Sequence, residues 1–255
     1  MLTIRRGRPH EGFRNGGSGN GTAYAPYIKK AVSFLDRLTD AYVLLIFITI
    51  LMAGIYITID TALIYFDAIG GIPIYRPGHG IVKVESAPVE NNVAWINLRD
   101  TNIDYPIMQG EDNTAYLNKD PYGKFSLSGS IFLDSRNNSA FTDEYSLIYG
   151  HHMEYGVMFG ALDDYLDEDY LQSHRHGQLL VGRDGKVMYE LEAFYAMSAD
   201  AKDDFIFNPE NYEELYAFLR EKGMDINHRV LCLSTCAGDT STTRIVVFAY
   251  ILENN

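Results

Sequence analysis

An uncharged apolar run from Ala41 to Ile59, AYVLLIFITILMAGIYITI, limits what this 255-residue chain can become more than any other feature. As a helix its 19 residues span roughly 28 Å, about one bilayer core. A cleavable leader would be shorter, would start nearer Met1 and would end in a small-residue cleavage site. A helix buried in a soluble core would carry a polar stripe, whereas only threonines and tyrosines break this run. It therefore reads as a single transmembrane helix, a signal anchor over residues 41–66. Charge sets its orientation. The chain carries a formal net charge of −13, yet residues 1–40 hold Arg5, Arg6, Arg8, Arg14, Lys29, Lys30 and Arg37 against three acids, a net of +4. That leaves −17 on residues 41–255. Basic flanks stay in the cytoplasm, so the N-terminus is expected inside and the rest of the chain outside the cell membrane. So acidic a domain lacks the basic footprint of a nucleic-acid binder.

Residues 1–28, with their GGSGNG segment, read as the disordered part of a cytoplasmic tail over 1–40, with 29–40 as an amphipathic lead-in to the span. Gly70, Gly71, Pro73, Pro77, Gly78, Gly80 and Pro88 mark a linker over 67–92. The remaining domain, 93–255, has runs rich in β-branched and aromatic residues bounded by Gly, Asn, Asp or Ser. They predict strands over 93–98, 103–109, 130–134, 145–151, 178–182, 187–197, 229–235 and 244–252. Asp184-Gly185 is a hairpin signal. Helices are predicted over 113–117, 158–171 and 209–222, the last with Asn208 as cap, Pro209 at its first position and Gly223 past its end. Eight short strands with few helices predict a mainly β domain, a closed barrel or a sandwich.

The only cysteines are Cys232 and Cys236. An exported pair suggests a disulfide, but VLCLSTC reads as one strand, and four strand residues separate the two alpha carbons by roughly 13 Å. A disulfide needs less than about 7 Å, so both thiols are expected free. Cys236 ends an apolar strand and opens a polar loop, AGDTSTT, where reactive groups meet solvent. Free cysteine also packs well in cores, and that reading stands beside the functional one. Arg244 begins the next strand. If the two strands form a hairpin it lies across from Cys236, where a guanidinium can lower a thiol pKa or hold an oxyanion. His151 follows SLIYG at another strand end and can serve as acid or base. His152 beside it is chemically equivalent, and only one of the two can face a given cleft. No metal or cofactor is expected. The acidic run LDDYLDEDYL lacks the glycine and ligand spacing of a calcium loop and reads as a solvated face, and His174 and His176 have no matching ligand pattern.

These residues also resemble a known family. LSTC (Leu233–Cys236) followed by Arg244 is similar to the sortase signature, and YGHHM (Tyr149–Met153) followed by MFG (Met158–Gly160) to the histidine motif of class B sortases. DTNIDYPIMQGEDN, YLNKD and GSIFLDSRN match in the same order, so the resemblance covers about residues 93–252. The stretch 198–228 is long enough for the helical insertion of that class. The resemblance implies an eight-stranded β-barrel with helical insertions and a transpeptidase activity. It selects His151 over His152, gives the nucleophile to Cys236 and oxyanion support to Arg244, and places Ser234, Tyr149 and Asn113 along the substrate groove. Cys232, outside the motif, becomes a packing residue. The implied partners are surface proteins bearing a C-terminal sorting signal, and an amine of a cell-wall precursor or a pilin as acceptor. Two other readings of the same residues stay open: a cysteine peptidase or hydrolase with this triad, and a non-catalytic membrane-anchored surface protein.

Overall fold

The computed structural model describes residues 25–68, 91–182, 185–236 and 242–253. Most of the expected linker, residues 1–24 of the expected tail and the loop after Cys236 lie outside these residues. The chain divides into two compact units, Met1–Thr58 and Ile59–Asn255. A single helix, α1 (Ala25–Ala68, 44 residues), begins in the first. Its stretch Tyr27–Phe66 includes a window of mean hydropathy 2.5, making it a candidate membrane span. Helix therefore already starts inside the expected tail and runs through the lead-in. Its threonines cost it little, because Thr39, Thr49 and Thr58 each donate a hydroxyl to the carbonyl four residues back.

In the second unit the eight expected strands form: β1 (Asn92–Leu98), β2 (Asp104–Met108), β3 (Ile131–Leu133), β4 (Tyr145–His151), β5 (His176–Val181), β6 (Val187–Asp200), β7 (Arg229–Cys236) and β8 (Thr243–Glu253). They close into a barrel in the order β1-β2-β3-β4-β7-β8-β6-β5. Closure leaves no unpaired edge. The sandwich alternative is thereby set aside. Neighbours are antiparallel except β2–β3 and β4–β7, which run parallel. The hairpin expected around Gly185 is present as the β5–β6 pair, with Val181 opposite Val187; Asp184 itself lies outside the described residues.

Burial along the strands tells which faces are covered. In β5 the pattern alternates between buried and open positions, as on a sheet with one wet side. β4 is closed to solvent over almost its whole length. Ile148, Leu231, Leu233, Val247 and Ala249 fill the barrel interior. The alternate residues Tyr145, Leu147, Val230, Cys232, Val246 and Phe248 point outward into a second core. That core is roofed by the insertion between β6 and β7, which carries α3 (Asp204–Phe207) and α4 (Tyr212–Glu221) after a 3-10 turn at Pro209–Asn211. Ile206, Leu215, Tyr216 and Leu219 supply its apolar face. The predicted helix over 209–222 is thus a turn followed by a helix.

Two other helix expectations change. The 158–171 segment is a 3-10 helix, Phe159–Leu166, then α2 (Glu168–Ser173). Asp167 interrupts them because its backbone is extended and its carboxylate caps α2 by accepting from the Tyr170 amide. Phe159, Leu162, Tyr165 and Leu171 face the barrel core, so the acids are the exposed side of a plug. The 113–117 segment is a series of turns instead of a helix, closed by i→i+3 bonds such as Leu117 N to Thr114 O. Its groups are committed elsewhere: Asn113 bonds to Asp134 and Ser135, and the Leu117 carbonyl to His151.

Truncating the roof tests the second core. Leu215 is fully buried, and Leu215→Ala is expected to cost about 2–5 kcal/mol in urea unfolding of the detergent-solubilised chain. A cost below about 1 kcal/mol would mean that the insertion does not fold as part of the barrel.

Candidate active site

The parallel ladder between β4 and β7 sets the site. Tyr149 pairs with Ser234, Gly150 with Thr235 and His151 with Cys236. Two residues 85 positions apart in sequence thus end adjacent strands at one level, about 4.8 Å apart between strand axes. On the other side of β7, Ser234 pairs with Val246 of β8. That register ends at Ser234 and Val246; Cys236 and Arg244 lie two residues farther along their strands. Beside them the Ile245 amide donates to the Thr235 hydroxyl at 2.9 Å. Three adjacent strands therefore bring the backbone positions of His151, Cys236 and Arg244 to one end of one patch of sheet. Arg244 is partly exposed there.

His151 is held from outside its own strand. Its Nε2 lies 2.7 Å from the Leu117 carbonyl oxygen. A carbonyl only accepts, so Nε2 carries a proton, and Nδ1 is the ring nitrogen not engaged by Leu117. Gly129 makes this contact possible. It sits at φ +58°, and a Cβ there would meet the Leu117 carbonyl, the Tyr116 carbonyl at 2.9 Å and the His151 ring at 3.0 Å. The neighbouring His152 points elsewhere, with Nε2 2.7 Å from the Asp163 carboxylate on the surface. Alternation along the strand separates two histidines that the sequence left equivalent. Farther off, His174 stacks on Tyr170 at the end of α2, its ring 3.9 Å away.

Cys232 lies on the same strand as Cys236 but inside the second core, with no exposed surface. Burial pushes its thiol up to about 12, offset only in part by the adjacent Tyr145 hydroxyl. It stays an unreactive thiol, as a packing residue should.

Two of the three groove candidates, Asn113 and Tyr149, converge on a residue the sequence did not single out. Asp134, fully buried at the end of β3, accepts on Oδ2 from Asn113 Nδ2 (2.8 Å), Tyr149 OH (3.1 Å) and Arg136 Nη2 (2.8 Å). On Oδ1 it accepts from the Arg136 amide (3.0 Å) and Nε (2.9 Å). Burial alone would raise this carboxyl, but the hydrogen bonds and charge of Arg136, together with the Asn113 amide, hold it below the usual range. The Tyr149 phenol moves the other way, raised by burial first and by the Asp134 charge second. Ser234 is fully buried, its hydroxyl donating to the Thr235 carbonyl at 3.1 Å. Asp134 and Arg136 stood within GSIFLDSRN, but the other two partners, Asn113 and Tyr149, come from separate segments, which no local pattern announces.

Two outcomes follow from this geometry. Gly129→Ala is expected to cost about 1–3 kcal/mol of strain and to shift the His151 imidazole resonance as the ring leaves Leu117; an unmoved resonance would show that Gly129 does not set the ring. Asp134, with its folded pKa below the unfolded value, contributes stability above about pH 4 that is lost as pH falls through the lowered value. Asp134→Asn is expected to remove an acid-side slope of up to about 1.4 kcal/mol per pH unit, measured as urea midpoints between about pH 2 and 5.

Known proteins are similar to this chain in sequence and fold. The sortase domain family model matches residues 96–252. Sortase B of Staphylococcus aureus is 34% identical over 175 residues, covering 63% of this chain and 70% of that protein. Sortase B of Listeria monocytogenes is 33% identical over 156 residues, covering 56% of this chain and 62% of that protein. A crystal structure of the S. aureus protein superposes with a TM-score of 0.57 at 30% identity, over 66% of this chain and 84% of that one. A Streptococcus pyogenes class B sortase involved in pilus biogenesis gives 0.56 at 37% identity, over 63% and 92%. With the family model matching more than half its length and a closed eight-stranded barrel beneath it, this chain belongs to the sortase family of cysteine transpeptidases, in class B.

Proposed function

We propose that this sortase is a single-pass membrane enzyme that cuts a C-terminal sorting signal of a secreted protein after a threonine and joins the new carboxyl end to an amine. The observation that carries the reading is the β4–β7 register, which pairs His151 with Cys236 one strand away from Arg244. The Cys236 thiolate attacks the threonine carbonyl carbon, and Arg244 steadies the oxygen that gains charge. His151 gives a proton to the departing amine nitrogen as the carbon–nitrogen bond breaks, leaving a thioacyl enzyme. An incoming amine then attacks the same carbon. His151 takes its extra proton, and the carbon–sulfur bond breaks to restore the thiolate. Tyr149 and Asn113 line the peptide groove, with Ser234 in its floor on the nucleophile's own strand.

In this reading residues 1–40 are the cytoplasmic tail, 41–66 the anchor, 67–92 the linker and 93–255 the catalytic domain. The net charge of +4 before the span supports an inside N-terminus, so the barrel faces the outside. The acceptor is an amine of the cell-wall precursor. A pilin lysine is the second reading, favoured by the pilus-biogenesis class B sortase at 37% identity.

The purified full-length chain in detergent, given a threonine-containing pentapeptide library, is expected to form a thioacyl adduct on Cys236 visible by mass spectrometry. Triglycine or a lysine ε-amine is expected to turn that adduct into an amide product. Cys236→Ala should abolish the adduct, and Arg244→Ala should slow its formation about 10²–10³-fold, as loss of an oxyanion donor does. An adduct that only ever yields the free acid, whatever amine is supplied, would make the protein a hydrolase; selective labelling of neither thiol and no adduct would make it a non-catalytic surface protein.

A further inference from the structure

The helical insertion does more than roof the second core. Arg136 donates from Nη2 to the Phe207 carbonyl at 2.9 Å and from Nη1 to the Asn208 side-chain oxygen at 3.2 Å, while Nη2 and Nε also donate to the Asp134 carboxylate. Phe207 and Asn208 lie where α3 gives way to the turn before α4. The same Asp134 carboxylate fixes Tyr149 on β4 and Asn113 in the turns before β3. Asn113 in turn accepts from the Ser135 amide at 2.7 Å, and Gln109 donates to the carbonyls of Asp134 and Asn137. One buried anion thus receives five hydrogen bonds from three parts of the chain, and the arginine that neutralises it is the part held by the insertion. Such a network has two stakes: satisfied, it is rigid, and with a member missing it leaves buried charge unpaired.

We infer that Asp134 is a positioning residue through which the insertion sets the peptide groove: movement at Phe207–Asn208 is passed by Arg136 to Asp134 and from there to Tyr149 and Asn113. This rests on the proposed groove role of Tyr149 and Asn113. It makes the insertion a determinant of which sorting peptide is accepted; His151, on the amine-handling side, has further holding contacts of its own at Leu117 and Gly129.

The test pairs residues that meet only through Asp134. In the full-length chain, Arg136→Gln, Tyr149→Phe and the double variant are assayed with the library-derived sorting peptide and triglycine, well below the lowest melting temperature. Each single variant is expected to raise the KM for the sorting peptide with little change in the rate at which triglycine resolves the adduct. The double variant should depart from the product of the two effects by more than about twofold. Agreement with that product within about twofold overturns the relay. A second arm needs no turnover: hydrogen exchange in Arg136→Gln and in Asn208→Ala, which spares the Asp134 contacts. Faster exchange in segment 111–118 supports the relay, and changes confined to 134–137 and 203–211 overturn it. Absence of any thioacyl adduct in the wild-type chain would strike the proposed function alone, since the exchange arm still decides the relay.

Discussion

The site depends on a parallel strand pair inside a mostly antiparallel barrel. Antiparallel neighbours can be joined by short turns, and residues brought together that way are close in sequence. A parallel pair needs a long crossover, and between β4 and β7 that crossover contains two strands, the plug over 159–166 and the whole insertion. The chain leaves β4 at His151 and returns beside it only at Arg229. What this arrangement achieves is registration: both strands point the same way, so their C-terminal ends coincide, and strand ends are where a barrel offers side chains to a ligand. A histidine and a cysteine placed at two such ends have paired backbone positions without either sitting on a hairpin tip.

That geometry creates a solvent problem which the insertion solves. Strands in the middle of such a patch carry apolar side chains on both faces, because one face fills the barrel and the other would otherwise expose Tyr145, Leu147, Val230 and Phe248. Covering that outer face with α4 keeps β4 and β7 dry along their length and leaves only their ends accessible. The cover also brings Phe207 and Asn208 to Arg136. The roof and the Arg136–Asp134 network are therefore linked by the same few residues.

The strands were legible because each is a compact β-branched or aromatic run closed by turn formers, and this signal is local. Their order was not. Nothing in YSLIYGH or RVLCLSTC says that the two will be neighbours or that they will run parallel; that follows from the barrel closing. Cys236 and His151 were readable as reactive groups at strand ends, yet their meeting was known only by resemblance. Asn113–Leu117 was misread as a helix because its composition permits one, while the tertiary bonds to Asp134 and His151 pull it into turns. Asp134 itself was hidden because a buried carboxylate is recognisable only once its donors are in place, and Asn208 is 72 residues from Arg136.

Placing both sulfurs on one strand has a consequence for how the enzyme meets oxidants. Cys232 is sealed in the core and four residues from Cys236, so it cannot act as a resolving thiol. If the Cys236 thiolate is oxidised to a sulfenic acid, no internal disulfide can trap that state before it goes further. Recovery must come from an outside thiol, and the chain has no redox memory of its own.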